Sequence, residues 1–312
     1  MSYKIKKAAV LGSGVMGSGI ACHLANVGID VLMLDILPKD LEKNKNRNAI
    51  SDGSLMRAVK SRPNPLYKKD YLKRIKTGNF EDDFDKISEA DWIIEVVVEN
   101  LEIKKQIFEK VEKYKTKGVI VTSNTSSIPI GLLCEGRSDD FKKNFCGTHF
   151  FNPPRYLRLF EVIPHDKTDS KLVDYLMEFG DIVLGKQTVL CKDTPAFIGN
   201  RIGVMAGIKL SQLTDKYNFT IEEVDLITGT VIGYPNSGTF RLQDLVGLDT
   251  SDKVTKFLVE NVKNDTFYSK LKDQPQNKSF KFLIDNNFLG NKSGKGYYEK
   301  TNKKDENGKT II

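Results

Sequence analysis

Long apolar runs, histidines and clustered cysteines are all scarce in this 312-residue chain, and each scarcity excludes something. No apolar stretch approaches the roughly 20 residues that a helix needs to cross a bilayer, so no membrane partner is expected. The start, MSYKIKKAAVLG, enters an apolar strand pattern without a signal-peptide core or an Arg/Ser-rich transit segment, which leads to the expectation of a cytoplasmic protein. The four cysteines, Cys22, Cys134, Cys146 and Cys191, show no CxxC or other ligand spacing. They read as buried, reduced thiols, and no metal site is expected. Internal repeats and nucleic-acid motifs are missing too, so no nucleic-acid partner is expected. The net charge of +7 is spread over scattered lysines, as in KNKNRN and YKKDYLKRIK. It reads as a solvated surface, or as provision for a polyphosphate ligand larger than a bare nucleotide.

What is present is a soluble-type composition, 39% hydrophobic and 29% charged, on a chain too long for most single cores. KKAAVLGSGVMGSGIACHLANVGIDVLMLD reads as strand, glycine turn, helix, strand: Ala8 to Leu11 form a short buried strand, and Ile20, Ala21, Leu24 and Ala25 recur at helical spacing. From about Asp40 to Asn79 the pattern is polar, lysine-rich and helical, interrupted at SRPNP, and reads as a helical excursion from the sheet. Strands resume with WIIEVVV, GVIVTSN, NFCGTHF and LFEVIP. A helix over residues 169–184 and a last strand, QTVLC, follow. After KDTPAF the alternation ceases and only helical patterns follow, one opening with Thr220 and Glu223 at capping-box spacing. The chain therefore reads as a Rossmann-like, doubly wound α/β domain over 1–192 and a smaller all-α domain over 193–312. The tail TNKKDENGKTII is polar and stops on two isoleucines, as an interrupted strand would, so a longer natural chain is expected.

GSGVMG places Gly12, Gly14 and Gly17 in the GxGxxG pattern. The first glycine permits a tight turn and the second lets backbone approach a pyrophosphate. The third packs helix on strand, and the helix N-terminus faces the phosphates. Alone the pattern is weak. Here it follows a strand, opens a helix, and is followed 18 residues after Gly17 by Asp35 at the end of VLMLD. A carboxylate there accepts from a ribose diol and repels a 2′-phosphate, which points to NAD as cofactor. Glu99 and Lys104 flank the next strand-to-helix turn at the ligand edge of the sheet, although the pair would also suit an exposed helix start.

Only three histidines occur, and His149 lies in GTHFFNPPRYLRLFEVIP. If CGTHF and LFEVI are antiparallel strands around a turn centred on Arg155, facing residues have numbers summing to about 310, and Glu161 lies opposite His149. A carboxylate beside imidazole fixes its tautomer and stabilises its protonated form, leaving the other nitrogen as a general base. An alcohol losing hydride to NAD must also lose a proton, and this pair can take it. His23, off the apolar phase of its helix, and His165, in PHDKT, read as surface residues. The hydroxyl and amide side chains of SNTSS can hydrogen-bond a substrate oxygen or merely form a turn or cap. Asn200, early in the helix after DTPAF, can reach a ligand or be an ordinary helix-start residue.

Taken together, these segments resemble the L-3-hydroxyacyl-CoA dehydrogenase family. The resemblance runs through VLGSGVMGSGIA, EVVVENLEIKKQIF, SNTSS, GTHFFNPP, LFEVI, CKDTPAFIGNRIG, VGLDT and SGKGYYEK. It implies NAD-dependent, reversible oxidation of (S)-3-hydroxyacyl-CoA to 3-oxoacyl-CoA in fatty-acid β-oxidation, with His149 as base and Glu161 as its partner. It further implies substrate contacts by Ser126 and Asn200, and a further active-site asparagine at Asn152, with Ser126 and Asn152 also on the cofactor side. NAD contacts by Asp35, Glu99 and Lys104 and dimerisation through the helical domain are implied as well. Ser54 and Lys60, in GSLMRAVK, resemble CoA-binding positions and would give the positive charge an anionic partner. TPAF and SGTF depart from the family's common TPGF and GPFE-like segments. They resemble the branch whose members are fused to an enoyl-CoA hydratase module. Two alternative readings compete with this one. A β-hydroxyacid dehydrogenase would use an inter-domain lysine whose pattern GNRIGVMAGIKL does not match. A non-catalytic, crystallin-like NAD-binding protein would not need the intact set of His149, Glu161, Ser126 and Asn200.

Overall fold

The computed structural model describes residues 3–40, 45–263, 265–273, 276–301 and 303. Its contacts divide the chain into two compact units, Met1–Phe197 and Ile198–Ile312. The tail GKTII lies outside the described residues.

In the first unit, segments of four to six residues, most of them apolar, lie between glycine, proline and polar turns and form the strands of one sheet. They are β1 (Lys7–Leu11), β2 (Asp30–Asp35), β3 (Ile75–Asn79), β4 (Trp92–Glu95), β5 (Ile120–Ser123), β6 (Phe145–Phe150), β7 (Leu159–Pro164) and β8 (Gln187–Leu190). Their order is β3-β2-β1-β4-β5-β6-β7-β8, parallel throughout except for the antiparallel β6–β7 pair. The order reverses between β1 and β4, and a doubly wound sheet opens its ligand crevice there, at the carboxyl ends. The side chains of β1 alternate between two cores. Ala8 and Val10 join one with α1 (Val15–Asn26), α2 (Ala49–Lys60) and α6 (Ser170–Ile182). Ala9 and Leu11 join the other with α3 (Leu101–Tyr114), α4 (Ile130–Leu133) and α5 (Asp139–Lys143).

The excursion after β2 is not helical to its end: β3 occupies residues 75–79 and pairs in parallel with β2 from Val31↔Ile75 to Asp35↔Asn79. IKTGN carries one large apolar residue, so no periodicity announces it. Its strand geometry comes from the open edge of β2, which needs partners for its backbone groups.

The second unit contains α7 (Gly199–Tyr217), α8 (Ile221–Ile227), α9 (Phe240–Val246), α10 (Leu248–Asn261), α11 (Thr266–Leu271) and α12 (Lys278–Asp285). The reciprocal bonds between Thr220 and Glu223 that define a capping box open α8. The SGKGYYEK segment is tied to α9 by the buried Asp244 carboxylate, which accepts from the amides of Tyr297 and Tyr298. No described helix is long and apolar enough to cross a membrane.

Candidate active site

Strand register aligns the carboxyl ends of four strands: Leu11 pairs with Glu95, Glu95 with Ser123, and Ser123 with Gly147. His149 lies two residues further along β6, and the residues that follow each strand crowd the same edge.

The glycine turn after β1 is shaped by contact. Gly12 has φ +107°, and a Cβ there would lie 2.6 Å from the Val96 carbonyl oxygen; at Gly17 it would lie 1.9 Å from that of Gly12. At Gly14 a Cβ would meet nothing within 4 Å, so backbone faces open space where a pyrophosphate would approach. No side chain caps α1, which leaves its first-turn amides for a ligand. Asp35 ends β2 half-buried; its Oδ2 accepts from the Ser13 amide (2.7 Å) and hydroxyl (2.5 Å), and its Oδ1 from the Ile36 amide (2.7 Å). With a single donor, Oδ1 keeps acceptor capacity toward a diol. These residues fit a dinucleotide.

The β6–β7 register pairs His149 with Glu161, and His149 Nδ1 lies 2.7 Å from Glu161 Oε2. His149 is 4% exposed and Glu161 0%. The rings of Phe151 and Phe197 pack on the imidazole, with centroids 4.4 and 6.0 Å away. The turn that joins the two strands, and follows the exposed Asn152, is held from below by the buried Lys186. Its ammonium donates to the carbonyls of Pro154 and Leu157, and burial pulls its pKa down to about 8.

Beside this pair, the Asn124–Ser127 loop is tied down from two sides. Asn124 Oδ1 accepts from the Phe150 amide at 2.9 Å, joining the loop to β6. Glu99 Oε1 accepts from the Thr125 hydroxyl (2.6 Å), the Ser126 amide (3.0 Å), and the Ser127 amide (3.1 Å) and hydroxyl (2.9 Å). Burial alone would raise the Glu99 pKa, but Lys104 and these donors hold it below the ordinary range. Lys104 is 1% exposed, so an exposed helix-start pair does not describe it. Its ammonium lies 2.7 Å from Glu95, 3.3 Å from Glu99 and 3.3 Å from the Val97 carbonyl. The structure thus brings Glu99, Lys104 and Ser126 together.

Two other candidates of the first unit lie on α2. Ser54 is buried on α2 and accepts from the Arg57 guanidinium at 2.7 Å, while Lys60 is exposed at the end of α2. Asn200 is half-buried in the first turn of α7, in the second unit. The expectation of two surface histidines is corrected. His23 is buried, with Nε2 3.1 Å from the Leu184 carbonyl and Nδ1 unpartnered; burial, then Lys186, lowers its pKa to about 4. It is off the apolar phase of α1, but every residue of α1 from Gly17 onward is buried, so phase does not sort its faces. His165 is half-buried, 3.1 Å from the Lys142 carbonyl. Neither histidine has a carboxylate hydrogen-bonded to its ring. Sequence reasoning missed Glu95, Phe197 and Lys186. Only the glutamate within the apolar run WIIEVVV could have flagged one of them.

A doubly wound sheet with an open glycine turn and an acidic end to its second strand defines a dinucleotide-binding domain, here with a histidine–carboxylate pair at the same edge. Comparison narrows the class. Residues 7–194 match the family model described as "3-hydroxyacyl-CoA dehydrogenase, NAD binding domain", and residues 197–300 the one described as "3-hydroxyacyl-CoA dehydrogenase, C-terminal domain". The chain belongs to the 3-hydroxyacyl-CoA dehydrogenase family, and its first unit carries the family's NAD-binding domain. It is 47% identical over 315 residues to a Bacillus subtilis protein named "Probable 3-hydroxyacyl-CoA dehydrogenase", covering 97% of this chain but 39% of that one. A Deinococcus radiodurans protein of the same name is 45% identical, with 97% of this chain and 84% of that one covered. Among solved structures, FadB2 of M. tuberculosis superposes with a TM-score of 0.77 at 29% identity, covering 95% of this chain and 99% of that one. The (S)-3-hydroxybutyryl-CoA dehydrogenase PaaH1 of Ralstonia eutropha gives 0.74 at 28% identity, with the same coverage.

Proposed function

We propose that this chain oxidises (S)-3-hydroxyacyl-CoA to 3-oxoacyl-CoA with NAD, reversibly, in fatty-acid β-oxidation or related acyl-CoA metabolism. The observation that carries the reading is the 2.7 Å contact between His149 Nδ1 and Glu161 Oε2 at the ligand edge of a dinucleotide sheet. The carboxylate accepts from Nδ1–H, so Nε2 presents its lone pair to a substrate hydroxyl. NAD, when bound, supplies the acceptor for the hydride leaving the carbinol carbon. His149 Nε2 takes the hydroxyl proton as the carbonyl forms, and Glu161 stabilises the imidazolium that results. In the reductive direction the imidazolium returns that proton to the oxygen. The substrate-side assignments of Ser126, Asn152, Asn200, Ser54 and Lys60 rest on the family resemblance, supported for Ser126 by its place in the loop beside β6.

The test is direct: protein, NADH and acetoacetyl-CoA are mixed, and loss of nicotinamide absorbance is followed. Turnover supports the reading. Bound NADH without turnover would replace it with a non-catalytic NAD-binding protein.

The same reading extends to partners. Ile202, Leu213, Leu226, Val231, Tyr234 and Leu245 of the second unit are exposed, which supports a homodimer formed through the helical domain. The Bacillus subtilis relative is more than twice as long, and a Rickettsia prowazekii relative is named as a trifunctional fatty acid oxidation complex enzyme, which supports a fused or associated enoyl-CoA hydratase. Four buried cysteines, none in a disulfide among the described residues, support a reducing, cytoplasmic setting.

A further inference from the structure

We propose that Glu95 is a positioning residue: from the end of β4 it fixes the Asn124–Ser127 loop by two routes, through Ser123 and through Lys104 and Glu99. What the loop does for a substrate rests on the function proposed above; the network itself does not.

Glu95 is 0% exposed and accepts three hydrogen bonds. Its Oε1 takes the Val97 amide at 2.6 Å and the Lys104 ammonium at 2.7 Å, and its Oε2 takes the Ser123 hydroxyl at 2.5 Å. A carboxylate placed between β4 and β5 at such depth is costly unless paired, and no fold requirement of a parallel sheet calls for one. Both of its side-chain partners lead to the loop. Ser123 Oγ accepts from the Thr125 amide at 3.2 Å, so donating to Glu95 orients the hydroxyl that receives Thr125. Lys104 bridges Glu95 and Glu99, and Glu99 Oε1 in turn gathers four donors of residues 125–127. Two carboxylates share one buried ammonium, and the balance between them sets how far Glu99 leans away from the loop. Lys104 is enclosed, donates to Glu95 and to the Val97 carbonyl and is ion-paired with Glu99, so it acts here through Glu99.

Glu95→Gln tests the charge while keeping the shape. The amide oxygen can replace Oε1 toward Val97 and Lys104, and the amide nitrogen can donate to Ser123. Lys104 then has Glu99 as its one ionised partner and draws that carboxylate from the loop amides. In the full chain, amide hydrogen exchange of a peptide covering residues 124–128 is expected to accelerate about tenfold, the scale of one charge-assisted hydrogen bond. Peptides of β1 and β6 should keep their wild-type exchange. Turnover of acetoacetyl-CoA with NADH should fall about tenfold in kcat. A folded variant with unchanged exchange at 124–128, or with exchange raised equally across the whole sheet, overturns the proposal. If Glu95→Gln does not fold, Ser123→Ala carries the test: faster exchange confined to the same peptide supports the proposal, and no change refutes it. A wild-type protein that turns over no acetoacetyl-CoA would defeat the functional reading, while the exchange measurement would still judge Glu95.

Discussion

Replacing Glu161 by glutamine removes one charge and almost no volume from the site, which makes its consequence calculable. The wild-type carboxylate is fully buried and 2.7 Å from His149 Nδ1. A charge-assisted hydrogen bond exceeds a neutral one by roughly 1–2 kcal/mol, which sets the lower bound. Coulomb attraction between the carboxylate and an imidazolium, with charges about 4 Å apart in an effective dielectric of about 20, sets an upper bound near 4 kcal/mol. The attraction is realised when His149 carries the proton, that is, in the transition state of oxidation. Between these bounds the barrier rises by about 1–4 kcal/mol, a fall in kcat of roughly 5- to 1,000-fold. Substrate KM and NADH affinity should change little, since Glu161 reaches the reaction through the imidazole. The assay is steady-state oxidation of a 3-hydroxyacyl-CoA, with NADH binding measured separately by fluorescence. A glutamine variant with wild-type kcat would show that the pair carries no charge at the transition state, and the proposed base would have to be abandoned.

Three further outcomes are expected. His149→Gln should bind NADH normally and lose at least ~100-fold in kcat, the usual scale for a positioned base; full activity would assign the base elsewhere. Asp35→Ala should raise the Kd for NAD about tenfold or more through loss of one or two charged hydrogen bonds, and an unchanged Kd by titration calorimetry would contradict a ribose role. His23 is held neutral in the fold down to about pH 4 but titrates near 6.5 when unfolded. The unfolded chain therefore binds the extra proton first as pH falls. The stability His23 contributes is complete above about pH 6.5 and is lost toward pH 4, a change on the order of 3 kcal/mol. Urea unfolding of His23→Gln should show a correspondingly shallower decline than wild type across that window, and parallel curves would refute the assignment.

Much of the site was legible because it is built from local relations. The His149–Glu161 pair follows from a hairpin whose turn sets the register, so two numbers in the sequence suffice to oppose them. The glycine turn and Asp35 belong to one strand–helix–strand unit, where spacing and geometry are the same information. The capping box of α8 is likewise contained within four residues. In each case the interacting groups are held at a distance that the chain itself specifies.

The sequence by itself determined most of the alternation of strands and helices, the glycine turn, and the facing of imidazole and carboxylate. Tertiary structure alone decided that IKTGN would complete a sheet edge, that His23 would be buried on a helix covered all round, and that Glu95, Ser123, Lys104 and Glu99 would share one network. The physical reason is the reach of each signal. Periodicity and turn chemistry report neighbours within an element, whereas edge-strand pairing and buried-charge partnership depend on which strand ends up beside which. Strand order is set by how the whole sheet buries its two faces, and no single segment carries that information.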